Sequence, residues 1–230
     1  MKKITVMYPT RNRLEKLLTS LDSITRNMPE IPIEIIVVCD GDPKTAKALI
    51  GREEVSKVVF FRENKGSVYA RNFISQGVED GLICAVDDIT FFPGAIDEAA
   101  RVMKEKFPDD DGIVGFRRAD RDQTKMNKTS GLYGGVALIG QTFIRRYQNR
   151  KICFPGYFLF AAQEMTNLAV KLKKGVVADK AEIFHHSPRK GGGMDQTHVE
   201  GRRFRTRDRE HRKERVAAGL LWGDGEEAAK

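Results

Sequence analysis

Two adjacent carboxylates, Asp87 and Asp88, stand immediately after the unbroken apolar run Leu82-Ile83-Cys84-Ala85-Val86. A carboxylate pair at the end of a buried strand suits a hard divalent cation, Mg2+ or Mn2+, which would neutralise a diphosphate and the charge it develops on leaving. Two more polar segments follow strand-like runs: Tyr8-Pro9-Thr10-Arg11-Asn12-Arg13 after Ile4 to Met7, and Asp40-Gly41-Asp42 after Ile33 to Cys39. In open α/β sheets ligands bind beyond the carboxyl ends of the strands, so these segments would share one edge and form a candidate site. Singly, each also reads as a helix cap or a turn. The acidic run Asp109 to Asp111, just before another strand-like run, reads as a solvated turn.

The elements that would position these residues alternate. The runs at Ile4 to Met7, Ile33 to Cys39 and Val58 to Phe61 have strand length and Ile and Val content, and each is followed by helical spacing. Leu14, Leu17, Leu18, Leu21 and Ile24 repeat at intervals of three and four, which predicts a helix over 13–26 with one face on a sheet, ended by Pro29 and Pro32. A second amphipathic stretch over 67–78 leads into the run at 82–86, whose continuous small apolar residues fit a central strand covered on both faces. A helix over 95–106 then returns to a strand at 112–116, which predicts a mostly parallel sheet built by right-handed crossovers. Residues 117–130 are polar and aperiodic and read as a long surface loop dividing the two halves. The second half offers a strand at 136–139, an aromatic stretch at 154–160, a helix over 163–173 and a last apolar run ending in His185-His186.

With 230 residues, 40% hydrophobic and 31% charged, the chain reads as one folding domain with extensions. Its apolar runs fall well short of the roughly 20 residues a spanning helix needs, so no transmembrane segment is expected. Its start carries no export-signal pattern. Cys39, Cys84 and Cys153 are odd in number and scattered, which points to a reducing, cytoplasmic setting. A net charge of +8, from 40 basic and 32 acidic residues, favours an anionic partner. There is no Gly-rich loop with Lys and Ser or Thr of the P-loop kind and no G-x-G-x-x-G after the first strand, so P-loop ATPases, kinases and dinucleotide dehydrogenases lose support.

From about Ile4 to Ser187 the order of motifs resembles the family 2 glycosyltransferases of the GT-A fold. Ile4 to Arg13 resembles the family's opening strand and Pro-Thr turn, Glu34 to Asp42 its second strand and acidic turn, and Asn64-Lys65-Gly66 with Ala70-Arg71-Asn72 its next block. The resemblance implies a Rossmann-like open sheet with helices on both faces and a nucleotide-sugar site drawn from Pro9, Thr10, Arg11, Arg13, Asp40, Gly66, Arg71 and Asp87. Cys39 stands where the family often has the first of two aspartates, which leaves Asp40 for the base. Asp87-Asp88-Ile89 replaces the usual Asp-x-Asp, and the resemblance implies Asp88 as metal ligand with Asp87 nearer the ribose. Gly131-Leu132-Tyr133-Gly134-Gly135 resembles the small-residue stretch beside the donor sugar, with Gly134 and Gly135 close to it; it also reads as a plain turn. Gln163-Glu164 resembles the family's paired acids at a helix start, which makes Glu164 the base for a single inverting displacement; alone, an acid in a first helical turn only favours the macrodipole. The family often completes its metal site with a histidine. Adjacent strand residues face opposite ways, so at most one of His185 and His186 reaches the ion, and His185 is favoured. An imidazole suits Mn2+ better than Mg2+.

The implied reaction moves a sugar from a UDP- or GDP-linked donor to a hydroxyl of an unidentified acceptor. Residues 1–187 would form the GT-A domain, with 1–116 the nucleotide-sugar half and 117–187 the acceptor half, and 188–230 a basic, partly helical tail. From Ser187 to Arg215 that tail holds ten Lys and Arg against five Asp and Glu. It reads as a salt-bridged solvated helix, as a lid over the diphosphate, or as a contact for a polyanion such as nucleic acid or an anionic membrane. Two other functions stay open: a glycosyltransferase acting on a modified nucleic-acid base, or a nucleic-acid-binding protein, through the tail; and a sugar nucleotidyltransferase, which would need an activating phosphate site and no base at Glu164.

Overall fold

The computed structural model describes residues 1–120, 135–159, 163–186 and 196–225. Its strands are β1 (Ile4–Thr10), β2 (Ile33–Asp40), β3 (Lys57–Phe61), β4 (Gly81–Cys84), β5 (Ile89–Phe91), β6 (Ile113–Arg118), β7 (Ala137–Ile139) and β8 (Gly175–His185). Its helices are α1 (Leu14–Thr25), α2 (Pro43–Ala48), α3 (Ser67–Ser75), α4 (Ala95–Lys106), α5 (Gln141–Ile144), α6 (Gln163–Lys171) and α7 (Gln196–Ala217). One eight-stranded sheet runs in the order β3-β2-β1-β4-β7-β6-β8-β5.

The first half is parallel, with β1 between β2 and β4 and β3 beyond β2. Beyond β4 the order differs from simple crossover growth. The short β7 enters antiparallel to both β4 and β6, so the strand after α4 does not lie beside β4. β6 is parallel to β8, and β5 closes the far edge antiparallel to β8, with Ile89 opposite His185. The chain leaves β4, turns through Asp87-Asp88 and rejoins the sheet at its other margin, which carries the acidic pair between the two halves. β6 extends through Arg117 and Arg118, so the polar stretch expected as a loop from 117 begins as strand; residues 121–134 lie outside the described residues.

Strand alternation sorts the core into two layers. Ile4, Val6 and Tyr8 face α1 and α4 residues such as Leu21 and Met103. Met7 and Val38 face the other side, with Val68 and Ile74 of α3, Leu168 of α6 and Trp222. Each fully buried Leu, Ile or Met contributes about 1.5–3 kcal/mol, so the two layers carry most of the folding drive. Asp111 departs from the solvated-turn reading. It is 5% exposed and accepts from Arg146 Nε at 2.9 Å and ion-pairs with Lys174 at 3.1 Å, tying the segment after α5 to the residue before β8. Among the described residues no helix is long and apolar enough to cross a membrane.

The basic tail is not set apart from the domain. α7 is polar on most of its surface, so a continuous apolar stripe cannot seat it, and single polar contacts do so instead. Near its start Glu200 accepts from Arg11 at 2.6 Å and Thr197 donates to the Arg11 carbonyl at 3.0 Å. In its middle Asp208, wholly buried, accepts from the backbone N–H groups of Phe158 and Leu159 at 2.9 and 2.7 Å. Beyond its end Trp222 is 6% exposed, and its indole N–H donates to the Lys151 carbonyl at 2.6 Å.

Candidate functional site at the sheet edge

The β1 turn and the β4–β5 turn meet where expected. Thr10 Oγ1 donates to Asp87 Oδ2 at 2.8 Å, and the Arg13 guanidinium spans both carboxylates, reaching Asp87 Oδ1 with one nitrogen and Asp88 Oδ2 at 2.6 Å with the other. Both aspartates are buried, at 3% and 5% exposure. Burial pushes the Asp87 carboxyl up to about 7, with Arg13 pulling it down and Asp88 pushing it up. Asp88 goes the other way: burial raises it, but hydrogen bonds and charge from His185 and Arg13 outweigh burial and hold it well below the usual carboxylate range. Neighbouring carboxylates in unequal surroundings titrate apart, and Asp88 is the one held ionised.

β8 supplies the third side. His185 Nε2 lies 3.3 Å from Asp88 Oδ1 and its Nδ1 lies 2.9 Å from Arg118. A guanidinium can only donate, so Nδ1 accepts and Nε2 carries the proton shared with Asp88. Arg118 is itself held by Asp120 at 2.6 and 3.0 Å, and Asp120 also accepts from the His185 backbone N–H at 3.3 Å. His186 points elsewhere and bonds Thr90 at 2.8 Å.

Among the described residues no three or more His, Cys, Asp or Glu side chains gather as a ready metal cage. Asp88 and His185 nevertheless present a carboxylate oxygen and an imidazole nitrogen 3.3 Å apart at the sheet edge. This mixed O,N pair suits a borderline-hard cation whose other positions are filled by diphosphate oxygens and water. For Nε2 to ligate an ion, its proton must move and Arg13 must yield part of its hold on Asp88.

The acids at the end of β2 are committed locally. Asp40 accepts from the N–H groups of Lys65 and Gly66 at 2.7 and 2.8 Å, and burial raises it while those two donors oppose the rise. Asp42 caps α2 through Thr45 N at 3.0 Å and holds Asn12 N at 2.7 Å. Asp40 thus shapes the 64–66 turn, while its remaining lone pairs are what a nucleobase could use. Gly66 is required there: its φ is +87°, and an added Cβ would lie 2.5 Å from the Phe158 carbonyl oxygen. Arg71 is buried under the edge and points to the Ala85 carbonyl at 3.4 Å. Pro9, next to last in β1, pairs with Val38, and Gly135 lies buried just before β7; Gly134 lies outside the described residues.

Glu164, in the first turn of α6, belongs to a second cluster that joins α6 to the end of α7. It is 4% exposed and accepts from Tyr157 Oη, from Arg215 Nε at 3.1 Å and Nη2 at 3.3 Å, and from Trp222 N at 2.9 Å. An ionised carboxylate offers about four lone-pair positions, and four donors match them. Burial and Glu164 both raise the Tyr157 phenol, which keeps it a donor. Sequence reasoning missed Tyr157, Arg215 and Trp222 as partners of Glu164, and Arg118 with Asp120 as supports of His185. Arg215 and Trp222 lie 51 and 58 residues from Glu164, and Arg118 lies 67 from His185, so only the fold brings them together.

An open α/β sheet with an acidic pair, an arginine and a histidine at its carboxyl edge defines a GT-A class of nucleotide-sugar fold. The model of the family described as Glycosyl transferase family 2 matches residues 5–165, and the chain belongs to that family. No curated protein matches it in sequence. Among solved structures it is similar to the mannosyltransferase PcManGT of Pyrobaculum calidifontis in complex with GDP-Man and Mn2+, at 15% identity and TM-score 0.64, covering 82% of this chain and 58% of that one. It is similar to S. aureus TarS 1–349 in complex with UDP-GlcNAc at 16% identity and TM-score 0.63, covering 79% and 58%. GalNAc-T7 with UDP, GalNAc and Mn2+ follows at 13% identity and TM-score 0.62, covering 80% and 44%. The chain thus spans less than two thirds of each of these structures, and at such identities the likeness is one of fold.

Proposed function

We propose that this chain moves a sugar from a nucleoside-diphosphate donor, UDP- or GDP-linked, to an acceptor hydroxyl by a single displacement with inversion. The observation that carries the reading is the buried Asp87–Asp88 pair, spanned by Arg13 and backed by Thr10 and His185, at the sheet edge. A divalent cation, Mn2+ or Mg2+, held by Asp88 and His185 supplies charge neutralisation of the departing diphosphate. Asp87, pushed up by burial, suits a hydrogen bond to a ribose hydroxyl in either protonation state. Arg13 and Arg11 supply guanidinium donors on the β1 turn that match phosphate oxygens, and Arg71 with Asp40 lines the side where the base would lie. In the displacement the acceptor oxygen bonds to the anomeric carbon, the bond from that carbon to the diphosphate breaks, and the acceptor's proton passes to a base.

Motif order gives that proton to Glu164, but its surroundings argue against it. A general base needs a lone pair within reach of the acceptor, and Tyr157, Arg215 and Trp222 occupy those of Glu164. We assign Glu164 to fastening α7 onto the domain instead. The three buried, free cysteines fit a reducing, cytoplasmic setting.

The test is calorimetry of UDP- and GDP-sugars with and without Mn2+ on the wild type and Asp88→Asn. Metal-dependent binding of one donor, lost in the variant, is the expected result. Binding of neither donor class would overturn the reading, and binding indifferent to Mn2+ and to Asp88 would overturn its metal dependence.

A further inference from the structure

On the outer side of α3 lies a groove of about 470 Å3 that none of the residues assigned above explains. Tyr69 and Phe73, four residues apart on one helix face, are 45% and 44% exposed. Both rings are fixed edge-on by Phe61, at centroid distances of 5.3 and 5.4 Å, so they form a rigid platform. Gln76 continues the same face. Around it stand three cations: Lys65, whose ammonium lies 4.9 Å from the Tyr69 ring centre, Lys151, and Arg207 of α7, which also ion-pairs with Asp208 at 3.1 Å. Among the described residues lining the groove there is no carboxylate.

Aromatic faces left open on a helix lose apolar burial unless a ligand covers them, and three cations against the single adjoining carboxylate of Asp208 favour an anionic ligand. The groove has the size of a short-ligand site. Its cations ring one bounded hollow and do not form the extended track that a nucleic-acid backbone requires. It also adjoins the edge proposed for the donor, because the N–H groups of Lys65 and Gly66 hold Asp40 and the Val68 N–H bonds the Phe158 carbonyl.

We propose that this groove binds an anionic oligosaccharide, with sugar rings against Tyr69 and Phe73 and acidic substituents at Lys65, Lys151 and Arg207. This ligand assignment does not rest on the glycosyl-transfer reading above. The apolar ring faces and exposed hydroxyl edges of a sugar match a platform with Tyr69 and Gln76 beside it.

The experiment titrates the whole chain with a hyaluronan hexasaccharide and a heparin-derived hexasaccharide, with neutral maltohexaose, and with a single-stranded oligouridylate. The variant is Phe73→Ala with Lys151→Gln, two positions away from the donor edge, and circular dichroism checks its fold. The expected result is that at least one acidic hexasaccharide binds, maltohexaose binds much less, and the variant weakens binding by about tenfold or more, the scale of one lost stacking contact. Equal binding of neutral and acidic sugars, tighter binding of oligouridylate, an unchanged variant, or no binding of either acidic sugar would overturn the proposal. Donor calorimetry is run in parallel. Acidic-sugar binding without donor binding would sink the transferase reading and leave the groove a glycan site; donor binding without it would sink only the groove.

Discussion

Arg215 and Glu164 lie 51 residues apart in sequence and are joined through two guanidinium nitrogens, at 3.1 and 3.3 Å, with Arg215 also 3.5 Å from the centre of the Phe154 ring. Both side chains are buried, and each offsets the charge of the other. Replacing Glu164 by Gln leaves Arg215 buried without that balance, a loss of roughly 3–5 kcal/mol on the scale of broken buried pairs. We expect Glu164→Gln to lower the denaturation midpoint clearly while transfer per folded molecule falls less than about tenfold. A fall of about 10²–10⁴ in kcat with stability unchanged would instead make Glu164 the base.

Arg13 holds the carboxylates that a cation would use. Arg13→Gln removes that competitor, so Mn2+ binding without donor should tighten severalfold. The same change removes a phosphate partner, so nucleoside-diphosphate affinity should fall by about tenfold, near 1.4 kcal/mol. Paired calorimetric titrations read both. Weaker Mn2+ binding in the variant would show that Arg13 supports the cation site rather than covering it.

At Asp111, burial pushes the carboxyl up, but Arg146 and Lys174 outweigh it and leave it lowered. A lowered folded value means that the stabilisation is present above the ordinary unfolded value of about 3.9 and is lost as pH falls below it through the folded one. Asp111→Asn should therefore cost about 1–3 kcal/mol at pH 6 and progressively less as the pH drops below about 4. Urea melts of both proteins across that range give the difference, and a constant gap would exclude the ion pair as its cause.

Asp208 accepts from two successive backbone N–H groups, of Phe158 and Leu159, and it is wholly buried. Asp208→Ala should cost about 2–4 kcal/mol, since each unsatisfied buried donor costs roughly 1–3 kcal/mol. Limited proteolysis should then cut sooner at residues 158 and 159. Unchanged stability and cleavage would mean that water replaces the carboxylate there.

Much of the site could be read from the residues themselves. The strands ending at Thr10, Asp40 and Cys84 announce themselves by apolar runs with polar stops, and those stops do converge at one edge. His185, not His186, reaches Asp88, as the two-residue alternation of a strand requires. Three things escaped. β5 has three residues, too short for a period to show, and the strand read at 136–139 carries no signal that it enters antiparallel between β4 and β6. The local commitment of Asp40 and Asp42 depends on turns that composition marks but does not orient. The seating of α7 rests on isolated contacts between distant residues, such as Arg11 with Glu200, and a helix polar on most sides carries no pattern that names its partner.

That seating gives the chain a different practical boundary from the one its composition suggests. The run from Gln196 to Trp222 reaches the turn after β1 at one end and the floor beneath α6 at the other, so it acts as a seam stitched across both halves. A form cut after residue 187 would bare the seat of the indole and strand a buried negative charge at Glu164. Such a fragment should collect in inclusion bodies, whereas a cut after residue 225 leaves the seam whole.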